Sequence, residues 1–585
     1  MIKNTPTICS FCSNGCGMFV RSRGGEAIGV IPLTGHPVGE GRLCHRGWNR
    51  YQNLRSVNRI DRPRIRDGSG FKEVSWEKAL QKTADRIRGL LDRYGPESIG
   101  VIGSPWLTNE DNFRLSRFCI HVLSSKNLDG SFRFAGASAL TALGSAFSYP
   151  FGSLGTIPRL KECPSILVVG GDSHRDFSPV GSRIIQAFLR GSKVVLADAT
   201  VARKEHFYAA HLPYTLQQLP IALAEKSDIL DDVQQCLSHK GLGLVFVADQ
   251  VHPASSLISL LGLLSRLSNL EDSFPEILPL SRAPNLRGAW DMEIRPDEEG
   301  LNLHEMLERD DGIKGILIFA DDLLTHLPSE PLVERLKSLE FVLVADRFNT
   351  ETCRIAHCVL PLPLLAESEG TMTNCEGRVQ KLRSALPPPA ETRSVQKILS
   401  DLSQKVGSPL PDHVDFEVRK EMSRCVPGYQ QVSDESALDS LPGVLLPGEK
   451  QLSAGAVFPE SASSSSKSET FTFVAIDTLY GWNRNQMILE SPVLAIEYPL
   501  DPMTLCISAA DARALKLRMG ETVTVRSKEG EVRLPVQPNE DVPVGMILLA
   551  SHWKDVLDRL AGKGSVDTLT GSVYYPALSV TVEKI

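Results

Sequence analysis

Cys9, Cys12 and Cys16 stand in the run ICSFCSNGCGMF, and Cys44 follows in GRLCHRGW, giving a C-x2-C-x3-C-x27-C spacing. Four thiolates that converge on one point are the ligand set of a [4Fe–4S] cluster, whose chemistry is electron transfer. Three ligands within a few residues wrap one face of a metal centre, and a distant fourth closes the cage. Gly15 and Gly17 flank Cys16, and Gly41 and Gly47 bracket Cys44. These are positions where the backbone is expected to bend and come close to sulfur. The same four thiolates also suit a structural zinc ion, and disulfides are a third reading. Zinc ribbons usually carry two matched C-x2-C pairs, so the three-plus-one pattern points first to iron and sulfide.

Little else in the chain offers local chemistry. It has no GxxxxGK phosphate loop, no HExxH and no GxSxG elbow. The other eight cysteines are scattered and read as core thiols, Cys353 and Cys358 standing where a strand should begin. Twelve cysteines in 585 residues do not resemble a secreted disulfide framework. A net charge of −7 without a basic block excludes nucleic acid as a partner class. No targeting segment is visible in MIKNTPTICSF, and the greasiest run, SLISLLGLL (256–264), is too short to span a bilayer. It reads as a buried helix. A cytoplasmic protein with no direct membrane insertion is expected.

The elements that must position the cysteines are readable as patterns. Length implies about two to four domains. Residues 1–60 form the cysteine unit, in which MFVRSRG and AIGVIPL read as strands joined by a Gly-Gly turn. Ser75 is placed to cap a helix running to about Tyr94. From about 97 to 400, short apolar runs alternate with helices: SIGVIG, SILVVGG, KVVLAD, GLVFVAD, GILIFAD and FVLVAD. Runs buried on both faces belong to parallel sheets covered by helices, with ligands beyond the carboxyl ends of the strands. Residues 431–470, rich in Ser, Pro and Gly, read as a linker, and 471–585 as a compact barrel of strands with a short helix near 508–517.

On these residues the chain resembles the molybdopterin oxidoreductase superfamily, which includes formate dehydrogenase α subunits and the large iron–sulfur subunit of respiratory complex I. The resemblance rests on TICSFCSNGCGMF and HPVGEGRLCHRG at the front and on GGDSHRDFSPVGSRIIQAFLRGSKVVLAD in the middle. It continues in FVLVADRFNTETCRIAHCVLPLPLLAESEGTMTNCEGRVQ and ends in ISAADARALKLRMGETVTVRSKEGEVRLPVQ. It implies an α/β fold: an iron–sulfur N-terminal unit, a core at 61–430 of two interleaved Rossmann-like parallel-sheet domains, and a C-terminal double-psi β-barrel. It implies a [4Fe–4S] cluster on Cys9, Cys12, Cys16 and Cys44. Active members also hold two molybdopterin guanine dinucleotides and a molybdenum or tungsten ion. A basic residue just after the fourth cysteine, here Arg46, relays electrons in the family. Gly171 and Asp198 fall where a nucleotide phosphate and ribose are cradled. Glu369, Thr371, Asn374 and Arg378 lie in a segment that meets the cofactor or holds the domains together, and His552 and Trp553 fall where the barrel domain approaches it.

One departure outweighs the others. Matching from Asn127 in NLDGSFRFAGASALTAL places Ala135 at the metal ligand and Gly136 at the histidine that follows it in formate dehydrogenases. Alanine has no lone pair for a metal, and glycine relays no proton. A slipped match would offer Ser131 or Ser138. Asp198 is followed by Ala199 and Thr200 in place of the family's Pro-Arg. The expectation is an iron–sulfur electron-transfer subunit of a larger cytoplasmic redox complex, with no molybdenum or tungsten. Its partners would be other iron–sulfur subunits or flavin- and NADH-linked ones. Bound pterin dinucleotide stays open, as do two alternatives: an active Mo/W-bis-pterin oxidoreductase such as formate dehydrogenase, and a structural subunit with zinc in the four-cysteine site.

Overall fold

Short apolar runs became strands wherever the pattern placed them. In the computed structural model, which describes residues 1–171, 173–199, 207–225, 236, 241–267, 276–309, 312–327, 330–389, 391–448, 470–476, 486–498 and 502–585, the chain divides into two units.

The first unit contains Met1–Arg133, Ser281–Pro447 and the helical pair Gln486–Leu489 and Pro492–Glu497. Its N-terminal part is a three-stranded antiparallel sheet, Ile2–Ile8, Gly17–Arg23 and Glu26–Pro32. Gly24 and Gly25 make the expected turn with φ of 61° and 86°. The first of these strands was absent from the sequence reading. Helix Trp76–Tyr94 is capped by Ser75, whose Oγ accepts from Lys78 N at 3.3 Å. It buries Trp76, Leu80, Ala84, Ile87 and Leu90 on one face, the stripe of an amphipathic helix. The main sheet has seven strands in the order Gly70–Glu73, Arg64–Asp67, Cys358–Pro361, Phe341–Asp346, Gly315–Phe319, Ile99–Ile102, Leu128–Asp129. The last five run parallel, and the first two form an antiparallel edge. The three central strands are buried along their whole length, as parallel strands covered on both faces must be. Cys358 opens its strand, but Cys353 sits in the preceding helix, Glu351–Ile355.

The second unit contains Phe134–Leu280, the strand Phe471–Ile476 and Tyr498–Ile585. Its five-stranded sheet, Ala210–Leu212, Lys193–Ala197, Ser165–Val169, Leu242–Val247, Glu276–Leu280, is parallel throughout. The greasy run becomes helix Ala254–Leu267. Phe471–Ile476, Met546–Ala550, Leu505–Ser508, Glu531–Asn539, Thr522–Arg526 and Leu578–Lys584 close into a barrel around Leu505, Ile507, Val523, Val525, Leu534 and Ile547. No helix among the described residues is long and apolar enough to cross a membrane.

The stretch 431–470 is only in part what its composition suggested. Helix Glu435–Asp439, capped by Asp434, and strand Val444–Leu445 belong to the first unit. Lys381 ties down the helix through Glu435 at 3.0 Å and Asp439 at 2.7 Å, and the strand pairs with Arg378 and Val379. Lack of periodicity hid two short elements whose order comes from their neighbours. Residues 449–469 lie outside the described residues.

One buried network in the first unit bears on stability. Helix Asn109–Arg117 starts with a capping box at Thr108, and its Glu110 accepts from Thr371 N at 2.7 Å and from Arg419 at 3.2 Å. Arg419 is shared with Glu435 at 2.5 Å, so complete burial prevails and lifts the Glu110 carboxyl from 4.5 to about 7. A carboxyl with a raised folded-state value stabilises the fold while protonated. Its contribution is full below about 4.5 and lost as pH rises through about 7. Thermal unfolding should show a stability loss between these limits, and Glu110→Gln should remove of the order of 1–3 kcal/mol of that pH dependence. An unchanged profile in the variant would assign the dependence to other groups.

Candidate iron–sulfur site

The first three cysteines occupy one hairpin loop. Strands Ile2–Ile8 and Gly17–Arg23 pair with Ile8 opposite Gly17, and Cys9 N donates to Cys16 O at 2.8 Å. Inside the loop, the N–H of Phe11 points to the Cys9 sulfur and the N–H of Asn14 to that of Cys12. Gly15 has φ of 65°, and a Cβ there would meet Gln380 Oε1 at 2.1 Å. A Cβ at Gly17 would meet the His36 ring at 2.3 Å. These two glycines therefore answer to Gln380 and His36 rather than to sulfur. A Cβ at Gly39 would meet Arg42 O at 2.7 Å, while its 3.7 Å to Cys16 Cβ would be ordinary contact.

Cys44 caps the short helix His45–Trp48 and is the one member of the four that is partly exposed; the others are 6–7 % exposed. All four act on one another through space. Cys16 feels Cys12, Cys9 and Cys44, and Cys44 acts on Cys9 and Cys12. Burial pushes Cys9 up to about 11 and Cys12 to about 12, with Cys16 well above its ordinary value. Two buried arginines oppose this. Arg46 favours the thiolates of Cys9 and Cys12, and Arg50 favours that of Cys9. Arg50 is held by neutral groups, donating to Ser10 Oγ at 2.9 Å and Asn53 Oδ1 at 3.1 Å.

These donors fit an iron–sulfur cluster. The set is all thiol, two buried cations stand near it, and two backbone N–H groups already point at sulfur. Four thiols also suit a tetrahedral zinc ion; among the described residues no three His, Cys, Asp or Glu side chains, the four cysteines included, are gathered on one metal point.

A second hairpin, Gly370–Thr373 and Arg378–Leu382, grips the loop. Cys375 N donates to Ser13 O at 2.8 Å, Asn374 Nδ2 to Asn14 O at 3.0 Å, and Gln380 Nε2 to Gly15 O at 2.9 Å. Three successive carbonyls are thus held by one partner. From the other side Ser13 exchanges hydrogen bonds with Ser281, N to O at 2.9 Å and Ser281 N to Ser13 Oγ at 2.8 Å. The gripping hairpin is itself anchored. Asn109 donates to Thr371 and Thr373, Asn285 Oδ1 accepts from Thr373 N at 2.7 Å, and Tyr429 meets Thr373 Oγ1 at 2.7 Å.

Asn374, expected near pterin, is fully engaged. Its Oδ1 accepts from Glu376 N and Arg378 N, both at 3.0 Å, while Nδ2 holds Asn14. Arg378 pairs with Glu376 at 2.8 Å, Thr371 is part of the Glu110 network, and Glu369 is exposed. Arg46, expected in a pterin-like pocket, is buried and acts on Cys9 and Cys12. In the second unit, Gly170 and Gly171 turn with φ of 72° and 76°, and Gly171 N donates to Asp198 Oδ2 at 2.6 Å. Asp198 thus braces the glycine turn at the carboxyl end of its sheet. Thr200 lies outside the described residues.

Ala135 and Gly136 precede helix Ala137–Phe147. Ser138 Oγ donates to Asp567 Oδ2 at 2.8 Å. In the first unit, Ser131 Oγ lies 3.0 Å from His326 Nδ1, which also meets Asp321 at 2.9 Å. The rings of His552 and Trp553 meet at a tilt of 45°, centroids 4.9 Å apart, at the start of helix Lys554–Ala561.

The sequence reading missed Arg50, Ser13, Asn14, His36 and Gln380. It also left Cys375 among the core thiols. Cys375 is buried, yet it acts electrostatically on Cys16 and is acted on by Cys12. No local pattern marks a residue that reaches the loop from more than three hundred positions away.

Asn374→Ala should free the Asn14 carbonyl and open the 374–378 turn. Leaving such buried groups unpaired costs about 2–4 kcal/mol. The checks are a lower unfolding midpoint and fewer irons per chain after reconstitution with iron and sulfide. Full occupancy at unchanged stability would remove Asn374 from the clamp.

Comparison with known proteins gives the arrangement its place. Residues 2–56 match the molybdopterin oxidoreductase Fe4S4 domain, 59–405 molybdopterin oxidoreductase, and 471–579 the molydopterin dinucleotide binding domain. The chain is 24 % identical to the F420-dependent formate dehydrogenase subunit alpha of Methanocaldococcus jannaschii, over 99 % of both chains. It is 26 % identical to an NADH-quinone oxidoreductase subunit of Rhizobium meliloti, over 96 % of this chain and 72 % of that one. Acetylene hydratase from Pelobacter acetylenicus shares the fold, with a TM-score of 0.64, 15 % identity and full coverage of both chains. With one family model covering more than half of the residues, and the cysteine loop, parallel sheets and closed barrel all present, the chain belongs to the molybdopterin oxidoreductase family.

Proposed function

We propose that this chain is an iron–sulfur electron-transfer subunit of a multisubunit cytoplasmic redox complex, on a formate-dehydrogenase-like scaffold without a working molybdenum or tungsten site. The observation that carries the first half is the clamped loop with its four mutually acting cysteines and two buried arginines. When bound, the cluster supplies one-electron transfer. Cys9, Cys12, Cys16 and Cys44 hold the irons. Burial of the first three keeps water from the sulfurs, and Arg46 and Arg50 offset the negative charge that ligation brings. Cys44, alone partly exposed, marks the side from which a partner's redox group approaches. Relatives named as subunits of formate dehydrogenase and of NADH-quinone oxidoreductase support iron–sulfur, flavin- or NADH-linked subunits as those partners.

Residues at the reaction centre support the second half. Ala135 offers no donor atom, and the hydroxyls of Ser131 and Ser138 are committed to His326 and Asp567. A rival reading, an active formate-linked oxidoreductase, is favoured by the end-to-end match to the alpha subunit of the F420-dependent enzyme. The braced turn at Gly171 and Asp198 is compatible with a retained pterin dinucleotide in either case.

Anaerobic purification with metal, sulfide and pterin analysis tests the proposal. About four irons and four sulfides per chain are expected, with a paramagnetic reduced state and no molybdenum or tungsten. Cys16→Ser should lose most of the iron. Stoichiometric molybdenum with formate oxidation by the isolated chain would transfer the assignment to the rival enzyme. Stoichiometric zinc in a colourless protein would reject both.

A further inference from the structure

Among the described residues, several buried polar atoms around the cysteine loop find no partner, those of Asn14 and His36 and the acceptor Oε1 of Gln380 among them. The Asn14 side chain, 1 % exposed and set between Cys12 and Cys16, has no acceptor for Nδ2 and no donor for Oδ1. His36, also 1 % exposed, leaves Nδ1 in the same condition. Its ring lies directly on Gly17, the residue after Cys16.

The other nitrogen of His36 settles which atom carries the proton. Gln380 Nε2 donates to Gly15 O at 2.9 Å, and a backbone carbonyl can only accept. Gln380 therefore presents its NH2 group on this side. The same Nε2 lies 3.1 Å from His36 Nε2, which must then be the acceptor. The proton of the neutral ring sits on Nδ1, making a buried N–H donor without an acceptor. Asn14 Nδ2 is a second. Buried donors of this kind are rare in folded proteins, and each asks for an explanation.

Both donors belong to residues packed on the loop that carries three of the four cysteines. The acceptors that arrive with a cluster are sulfur atoms, inorganic and cysteinyl. Hydrogen bonds to those sulfurs stabilise the more negative, reduced state and so raise the potential. The geometry points to Asn14 Nδ2–H and His36 Nδ1–H as donors to sulfur atoms of the cluster that set its reduction potential. This rests on the iron–sulfur reading above and goes beyond it by naming the positioning residues that tune the centre.

The test uses the full chain, reconstituted with ferrous iron and sulfide, and a redox titration followed by electron paramagnetic resonance. Asn14→Leu and His36→Phe keep the volume and remove the donor. At the wild-type midpoint potential, each should lower the reduced-to-oxidised ratio about threefold to tenfold, tenfold being about 59 mV for one electron. If one variant fails to hold its cluster, the other supplies the reading. An unmoved potential in a loaded variant overturns the proposal. So does an unmoved potential with reduced pterin retention, which would hand these donors to a pterin. A wild-type chain that takes up no cluster fails the functional reading instead and is recognised by its iron content alone.

Discussion

Three adjacent carbonyls, those of Ser13, Asn14 and Gly15, are held by one hairpin, and the cysteine site depends on that grip. A nine-to-sixteen loop on a three-stranded sheet has few contacts of its own to fix where its thiols point. The 370–382 hairpin supplies them through Cys375 N, Asn374 and Gln380. That hairpin is in turn set by Asn109, Glu110, Asn285 and Tyr429, which belong to three different helical segments or turns. The placement of the loop that carries Cys9, Cys12 and Cys16 therefore depends on the core of the first unit and not on the cysteine segment alone. This is the usual way to hold a site to tight tolerance: ligands on a loop, orientation from regular elements beneath it.

Charge is the second constraint. Burial alone would keep Cys9, Cys12 and Cys16 protonated at neutral pH. Ligation requires the thiolate, so taking up metal releases protons. Arg46 and Arg50 lean the balance toward thiolate, and the loop N–H groups of Phe11 and Asn14 do the same at shorter range.

The rest of the scaffold keeps the family's architecture. The parallel sheets, the glycine turn braced by Asp198 and the closed barrel are all present. Ala135 stands without a donor, and the nearby serines are bonded elsewhere. Fold and chemistry are separable, because sheets are maintained by distributed apolar burial whereas a metal ligand is a single side chain.

Sequence by itself determined what is local or periodic. The cysteine spacing, the Gly-Gly turn at 24–25, the Ser75 cap, six of the buried parallel strands and the barrel's strand-rich tail each follow from a few neighbouring residues whose sterics or hydropathy leave one conformation favoured. Tertiary structure alone decided which distant side chains meet the loop. Gln380 and Cys375 come from a hairpin more than three hundred residues away, and His36 arrives from a turn beyond the next two strands. It also turned Asn374 into a clamp and gave order to 435–445, whose elements are too short to show a period. Such contacts carry no sequence signature, because a hydrogen bond across a fold depends on where two elements are packed and not on what lies beside either residue in the chain.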